Sequence, residues 1–79
     1  MMRKVGELVR CTVAGEFVFL YPELKGGTVK PQHTLPRWQR GETAVVLQYD
    51  VYGTIGHVRL LLPSGAIGWC SNMFAEPVR

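Results

Sequence analysis

The stretch RLLLPSGAIGWCSNMFAEPV, residues 59–78, decides the fold of this chain because it packs strands, a tight turn and a kinked end into a short span. The strand predicted at residues 57–62 alternates between two faces. Those faces are Val58, Leu60 and Leu62 on one side, and His57, Arg59 and Leu61 on the other. PSG, residues 63–65, then predicts a turn, since proline fixes φ and glycine accepts a positive φ.

The second half of the stretch predicts a short strand and the close of a sheet. Residues 66–70 place Ile67 and Trp69 on one side of a strand. SNMF, residues 71–74, predicts one turn of 3-10 helix, because Ser and Asn favour caps and turns. Residues 75–78 predict a last extended piece, in which Pro77 suits an edge strand.

Upstream segments rich in β-branched and aromatic residues extend the same pattern. Residues 5–13 and 41–52 are predicted as strands, and residues 16–21 as either a short strand or an extended arm. Residues 22–41 keep no apolar period, so we interpret them as one long loop with at most one turn near residues 35–39. The pattern predicts an all-β fold, a single five-stranded barrel over residues 1–79, because closure removes open sheet edges.

Length and composition favour one small domain with a mildly basic surface. The chain has 79 residues and a formal net charge of +3. No apolar run reaches the roughly 18–20 residues that span a bilayer, and the first residues lack the apolar block of a signal peptide. We therefore expect a cytoplasmic protein without a membrane partner. Cys11 and Cys70 either pair in a disulfide or are two buried thiols, and cytosolic chemistry favours the thiols.

The order of three short motifs resembles the end of SH3-like barrels. Gly68-Trp69, Ser71-Asn72 and Glu76-Pro77-Val78 follow a hairpin in that order, and residues 4–11 and 40–49 resemble the first two strands. The chain is similar to short uncharacterised SH3-like proteins of bacteriophages and bacteria. This resemblance implies an SH3-like barrel with one long loop and a 3-10 turn before the last strand, in the host cytoplasm for a phage-encoded chain. The long loop is basic rather than acidic, so binding of proline-rich peptides is not implied.

Aromatic residues are the first candidates for a binding surface, because they suit sites that are apolar on one side and wet on the other. The expected aromatic barrel end consists of Tyr49, Tyr52, Trp69 and Phe74. Packing in the core is the alternative, and it is favoured for Trp69 and Phe74 because aromatics dominate small cores. The two interpretations are evenly balanced for the tyrosines.

A second candidate is the basic part of the long loop. It consists of Lys25, Lys30, His33, Arg37 and Arg40. Trp38, between Arg37 and Arg40, either stacks on a base or anchors a protein partner, or it pins the loop onto the barrel, which is the favoured interpretation. The cations either contact nucleic acid or an acidic partner, or they are solvated loop charges.

Candidates for catalysis are few. No nucleophile, base and orienting group stand together, and neither cysteine has a histidine at metal-ligand spacing. We therefore expect a non-enzymatic binding module without a metal or cofactor. The first hypothesis is protein–protein interaction or self-association through the aromatic end and the long loop. The alternative is nucleic-acid binding through the basic loop around Trp38.

Overall fold

The computed structural model describes residues 3–23 and 35–78, and antiparallel strands dominate them. The strands are β1 (Leu8–Cys11), β2 (Phe17–Phe19), β3 (Arg37–Gln39), β4 (Thr43–Tyr52), β5 (Ile55–Leu61), β6 (Ile67–Ser71) and β7 (Ala75–Pro77). A 3-10 turn, Asn72–Phe74, connects β6 to β7, and Ser71 caps it by accepting a hydrogen bond from the backbone of Met73. The predicted all-β class and the predicted 3-10 turn are confirmed.

The strands of the described residues form a five-stranded sheet and a two-stranded ribbon. The sheet has the order β6-β5-β4-β1-β7, and the ribbon pairs β2 with β3. A single antiparallel bridge between Tyr21 and Trp69 joins the end of the ribbon to β6. Within residues 3–23 and 35–78 the pairing does not close the sheet on itself, so the closed barrel expected from the sequence is not shown.

The ribbon corrects the interpretation of residues 22–41 as one loop. Arg37–Gln39 is a strand, paired in register with Phe17–Phe19, so residues 16–21 contribute a strand rather than an arm. A strand of three residues directly after Pro36 is too short to display an apolar period. Residues 24–34 lie outside the described residues, and with them Lys25, Lys30 and His33 of the predicted basic set.

One face of the five-stranded sheet and the inner face of the ribbon enclose the core. Alternation along β1 and β5 turns Val9, Val58 and Leu60 inward, as expected from the period of a strand. The buried cluster is Val9, Cys11, Leu20, Trp38, Ala44, Val46, Val58, Leu60, Leu62, Cys70 and Ala75. The predicted inner face of β5 is confirmed, and Trp38 is the largest side chain in this core.

Arg3 connects the segment before β1 to the segment before β7. Its guanidinium donates from Nε to Oδ1 of Asn72 at 2.9 Å and from Nη2 to the carbonyl of Ala75 at 2.6 Å. Nη1 lies 3.1 Å from Oε2 of Glu7, and the Arg3 side chain is 8% exposed. Charge-assisted hydrogen bonds of this kind are stronger than neutral ones, so the arginine fixes the 3-10 turn against the start of the sheet.

Candidate interaction surfaces

An apolar row crosses four strands on the outer face of the sheet. Leu8 pairs with Val45, Val45 with Leu61, and Leu61 with Ile67. Cross-strand partners share a face, so these four side chains lie in line on the side opposite the core. Leu8 is 43% exposed and Ile67 is 44% exposed, while the two central residues are half-buried. We call this set the apolar row.

Polar residues border the apolar row on both sides. They are Glu76, Arg10 and Thr43 on one side, and Gln48 and Arg59 on the other, where the buried Trp69 is the register partner of Arg59. Both signs of charge are present, and Trp69 is only 9% exposed. An apolar centre with a polar rim is the usual anatomy of a protein interface.

The charge of the described residues is balanced. They contain the cations Arg3, Lys4, Arg10, Arg37, Arg40 and Arg59, and the anions Glu7, Glu16, Glu23, Glu42, Asp50 and Glu76. The whole chain has nine Lys and Arg against six Asp and Glu. The excess of +3 therefore comes from Lys25, Lys30 and Arg79, outside the described residues. The sheet itself has no dominant sign of charge.

A second surface lies on the outer side of the ribbon, and we call it the aromatic ribbon face. Phe17 and Phe19 meet edge to face, with ring centroids 5.1 Å apart. The Cζ atom of Arg37 lies 4.8 Å from the centroid of Phe17 and 5.8 Å from that of Phe19. Gln39 is the register partner of Phe17 on the same side. Strand alternation explains the grouping, because Val18 and Trp38 point the other way into the core.

Trp38 belongs to the core and not to a binding surface. Its side chain is fully buried, so the indole offers no face on which a base could stack. The backbone carbonyl of Trp38 accepts from Sγ of Cys11 at 3.6 Å, and Nε1 has no partner among the described residues. Trp38 therefore lies where the interpretation that it holds this segment onto the sheet places it, and its indole is not exposed for stacking.

The predicted aromatic end is not one surface. Tyr49 is half-buried against the core and its ring lies over Gly56, whereas Tyr52 is 50% exposed on the opposite face beside its partner Ile55. Tyr49 and Tyr52 are three positions apart on one strand, so they point to opposite sides. Trp69 is buried and Phe74 packs against the core, as the packing interpretation expected.

The two described members of the predicted basic set lie on the ribbon. Arg37 is exposed on the aromatic ribbon face, and Nη1 of Arg40 donates to the carbonyl of Ala14 at 3.3 Å. The backbone of Arg40 also donates to the carbonyl of Glu16, next to Phe17. Arg37 therefore lies beside the phenylalanines and Arg40 beside the Ala14 carbonyl, and neither surrounds an exposed tryptophan.

The two thiols are poor candidates for nucleophiles. Cys11 and Cys70 are both buried and free. Burial raises the pKa of Cys11, and burial together with the neighbouring Cys11 raises the pKa of Cys70 to about 12. A thiol is reactive as its thiolate, so raised pKa values make both groups inert near neutral pH. Within the described residues no group of three His, Cys, Asp or Glu could hold a metal ion.

Comparison with known protein families, with curated proteins and with solved structures gives no match to this chain. Across residues 3–23 and 35–78, no helix has both the length and the apolar character to cross a membrane.

Proposed function

We propose that this chain is a small non-catalytic binding module that associates with a second copy of itself through the apolar row. The observation that carries the proposal is the alignment of Leu8, Val45, Leu61 and Ile67 across four strands on the solvent face. Single exposed apolar residues are normal on protein surfaces, but a contiguous apolar patch with a polar rim is typical of an interaction site.

Self-association is favoured over a strongly charged partner because of the charges around the row. Arg10 and Glu76 are partners across two strands, and Arg59 lies on the other border. A face with both signs of charge and an excess of only one positive charge repels its own copy weakly. Two antiparallel sheets can pack face to face about 10 Å apart, and a two-fold axis brings the same row from each copy together.

We also propose that the fold is an SH3-like barrel. The order β6-β5-β4-β1-β7 and the 3-10 turn before β7 support the resemblance. The bridge from Tyr21 to Trp69 supports it further, because it extends the pairing of the sheet toward the ribbon. A fold of this kind hosts many unrelated activities, so the proposal for function depends on the apolar row and not on the resemblance.

Non-catalytic action is part of the proposal. The two buried thiols with raised pKa values are poor nucleophiles, and Nδ1 of His57 lies 3.1 Å from the carbonyl of Ile55 at the end of the hairpin. Neither observation supports a nucleophile aligned with a general base. Binding is therefore the better supported class of function.

The test is the oligomeric state of the wild-type chain and of two matched double variants. Leu8→Gln with Ile67→Thr makes both exposed ends of the apolar row polar without adding charge. Val5→Thr with Met73→Gln is the control, because Val5 is 74% exposed and Met73 is 77% exposed and neither belongs to the row. Sedimentation equilibrium over a wide concentration range should give a dimer for the wild type and the control, and a monomer for the row variant.

Circular dichroism and urea unfolding of the same proteins show that each variant is folded before its mass is interpreted. A wild-type chain that stays monomeric up to the highest concentration would refute self-association. A control variant that dissociates as readily as the row variant would place the contact elsewhere on the surface.

A further inference from the structure

The aromatic ribbon face places an arginine beside two aromatic rings. Arg37 lies over both Phe17 and Phe19, and its side chain is exposed. The rings restrict the guanidinium, so less conformational entropy is lost when it binds a ligand.

A guanidinium over an aromatic ring can make two kinds of contact at once. Its N–H groups lie in its own plane and can donate to a phosphate or carboxylate oxygen. Its outer flat side can stack on a nucleobase. On the same side of the ribbon, Gln39 adds a side chain that can both donate and accept hydrogen bonds at the edge of a base.

From these contacts we propose that the aromatic ribbon face binds single-stranded nucleic acid. Arg37 contacts a phosphate and stacks on a base, and Phe17 and Phe19 form the apolar platform. This is a different surface from the apolar row and does not depend on self-association.

A nucleic acid fits this face better than an acidic peptide because of the stacking surface. A peptide carboxylate would use the N–H edge of Arg37 and leave the stacking surface of Arg37 and Phe19 without a partner, whereas a nucleotide uses both.

The experiment measures fluorescence anisotropy of labelled oligo(dT) and oligo(U), each about ten nucleotides long, with a duplex of equal length for comparison. We expect both single strands to bind more tightly than the duplex. Arg37→Ala should weaken binding about tenfold at low salt and reduce the slope of log K against log salt by about 0.7, the value for one phosphate contact. Phe19→Leu should weaken binding roughly fivefold with an unchanged slope, because it removes a ring and no charge.

The matched control is Arg59→Ala, which removes an exposed arginine from the five-stranded sheet and should leave affinity within about twofold. Arg37→Lys should keep the salt slope and lose affinity, because it keeps the charge and removes the planar group.

Equal losses of affinity for Arg37→Ala and Arg59→Ala would show attraction by general charge and overturn the site. Absence of binding at low salt would overturn it, as would equally effective competition by poly-glutamate. Urea unfolding of each variant shows that the fold is intact.

Discussion

Gly68 lies directly against Leu20, with no room for a side chain between them. A Cβ atom on Gly68 would be 2.6 Å from Cβ of Leu20 and 3.1 Å from its carbonyl carbon. Because the two segments approach so closely, the backbones of Tyr21 and Trp69 exchange hydrogen bonds of 2.9 and 2.7 Å. The connection between the ribbon and β6 therefore depends on a glycine at this position.

Gly68→Ala should destabilise the protein by about 1–3 kcal/mol, since the added methyl group must displace backbone atoms. Gly15→Ala is the control, because nothing lies within 4 Å of that position and its φ is not positive. That control should change the free energy of unfolding by no more than about 0.5 kcal/mol. Urea unfolding measures both, and similar values for the two variants would contradict the close approach.

Arg3→Ala should lower the free energy of unfolding by about 2–4 kcal/mol. It removes donors to Asn72, Glu7 and Ala75, and leaves a partly buried carboxylate without its cation. Arg3→Lys should recover only part of this, because one ammonium group cannot reproduce the planar fork.

Lys4→Ala is the comparison for Arg3→Ala, because Lys4 is adjacent and exposed. It should leave the free energy of unfolding nearly unchanged. Hydrogen exchange at residues 72–75 should accelerate in Arg3→Ala and not in Lys4→Ala. Unchanged exchange in both would show that Arg3 does not hold the 3-10 turn.

The stability of the protein should fall between pH 9 and pH 12 because of Cys70. Burial, with a smaller effect of Cys11, raises the pKa of Cys70 from 9.0 to about 12 in the native state. The unfolded chain ionises at the ordinary pKa, so it releases its proton first as the pH rises. Below pH 9 this thiol makes its full contribution to the free energy of unfolding. That contribution is lost as the pH rises from 9 to 12, and the loss reaches roughly 4 kcal/mol at pH 12.

Cys70→Ala should flatten this dependence. Unfolding free energies measured by urea titration at several pH values above 8 give the slope for the variant and the wild type. Parallel slopes for the two proteins would show that Cys70 is accessible to water in the native state.

Trp38→Phe should destabilise the protein by about 1–2 kcal/mol, much less than Trp38→Ala, which should cost about 3–5 kcal/mol. Phenylalanine keeps most of the buried apolar volume and removes an indole N–H that has no partner among the described residues. An unpaired buried donor costs about 1–3 kcal/mol, and its removal offsets part of the lost packing. Thermal and urea unfolding measure both variants, and a loss for Trp38→Phe as large as for Trp38→Ala would show that Nε1 is hydrogen bonded.

Elements with a complete local pattern could be predicted from the sequence. β5 alternates with a strict period of two, and its inner residues Val58 and Leu60 are buried. The 3-10 turn begins at a serine whose hydroxyl accepts from a backbone N–H two residues later, which is the reason serine favours such caps. Each of these signals lies within a few residues of the structure it specifies.

β3 could not be predicted, because its partner decides it. Arg37–Gln39 is a strand through pairing with Phe17–Phe19, and the three residues alone carry no period. For the same reason the sequence did not predict that Trp38 is buried while its neighbour Arg37 is exposed. A strand of this length acquires its two faces only when it is placed against the core.

The apolar row was missed because register joins residues that are far apart in the chain. Leu61 could be assigned to the outer face of β5, but its alignment with Val45 and Ile67 depends on the pairing of three strands. A bulge between Val46 and Gln48 shifts that pairing, and it has no signature in the sequence. Local sequence patterns could not predict the contacts of Arg3 for the same reason, because its partners are more than sixty positions away.

The internal position of β1 in the sheet has a consequence for the order in which the protein is made. β1 lies between β4 and β7, and Val9 pairs with Pro77. While the chain is being synthesised, β1 leaves the ribosome first. Its edge toward β7 stays uncovered until residues 75–77 have emerged. The sheet is therefore completed only after almost the whole described chain has emerged, and until then the backbone groups of Leu8 and Thr12 that bond to Val78 and Phe74 are open to pairing with other nascent chains.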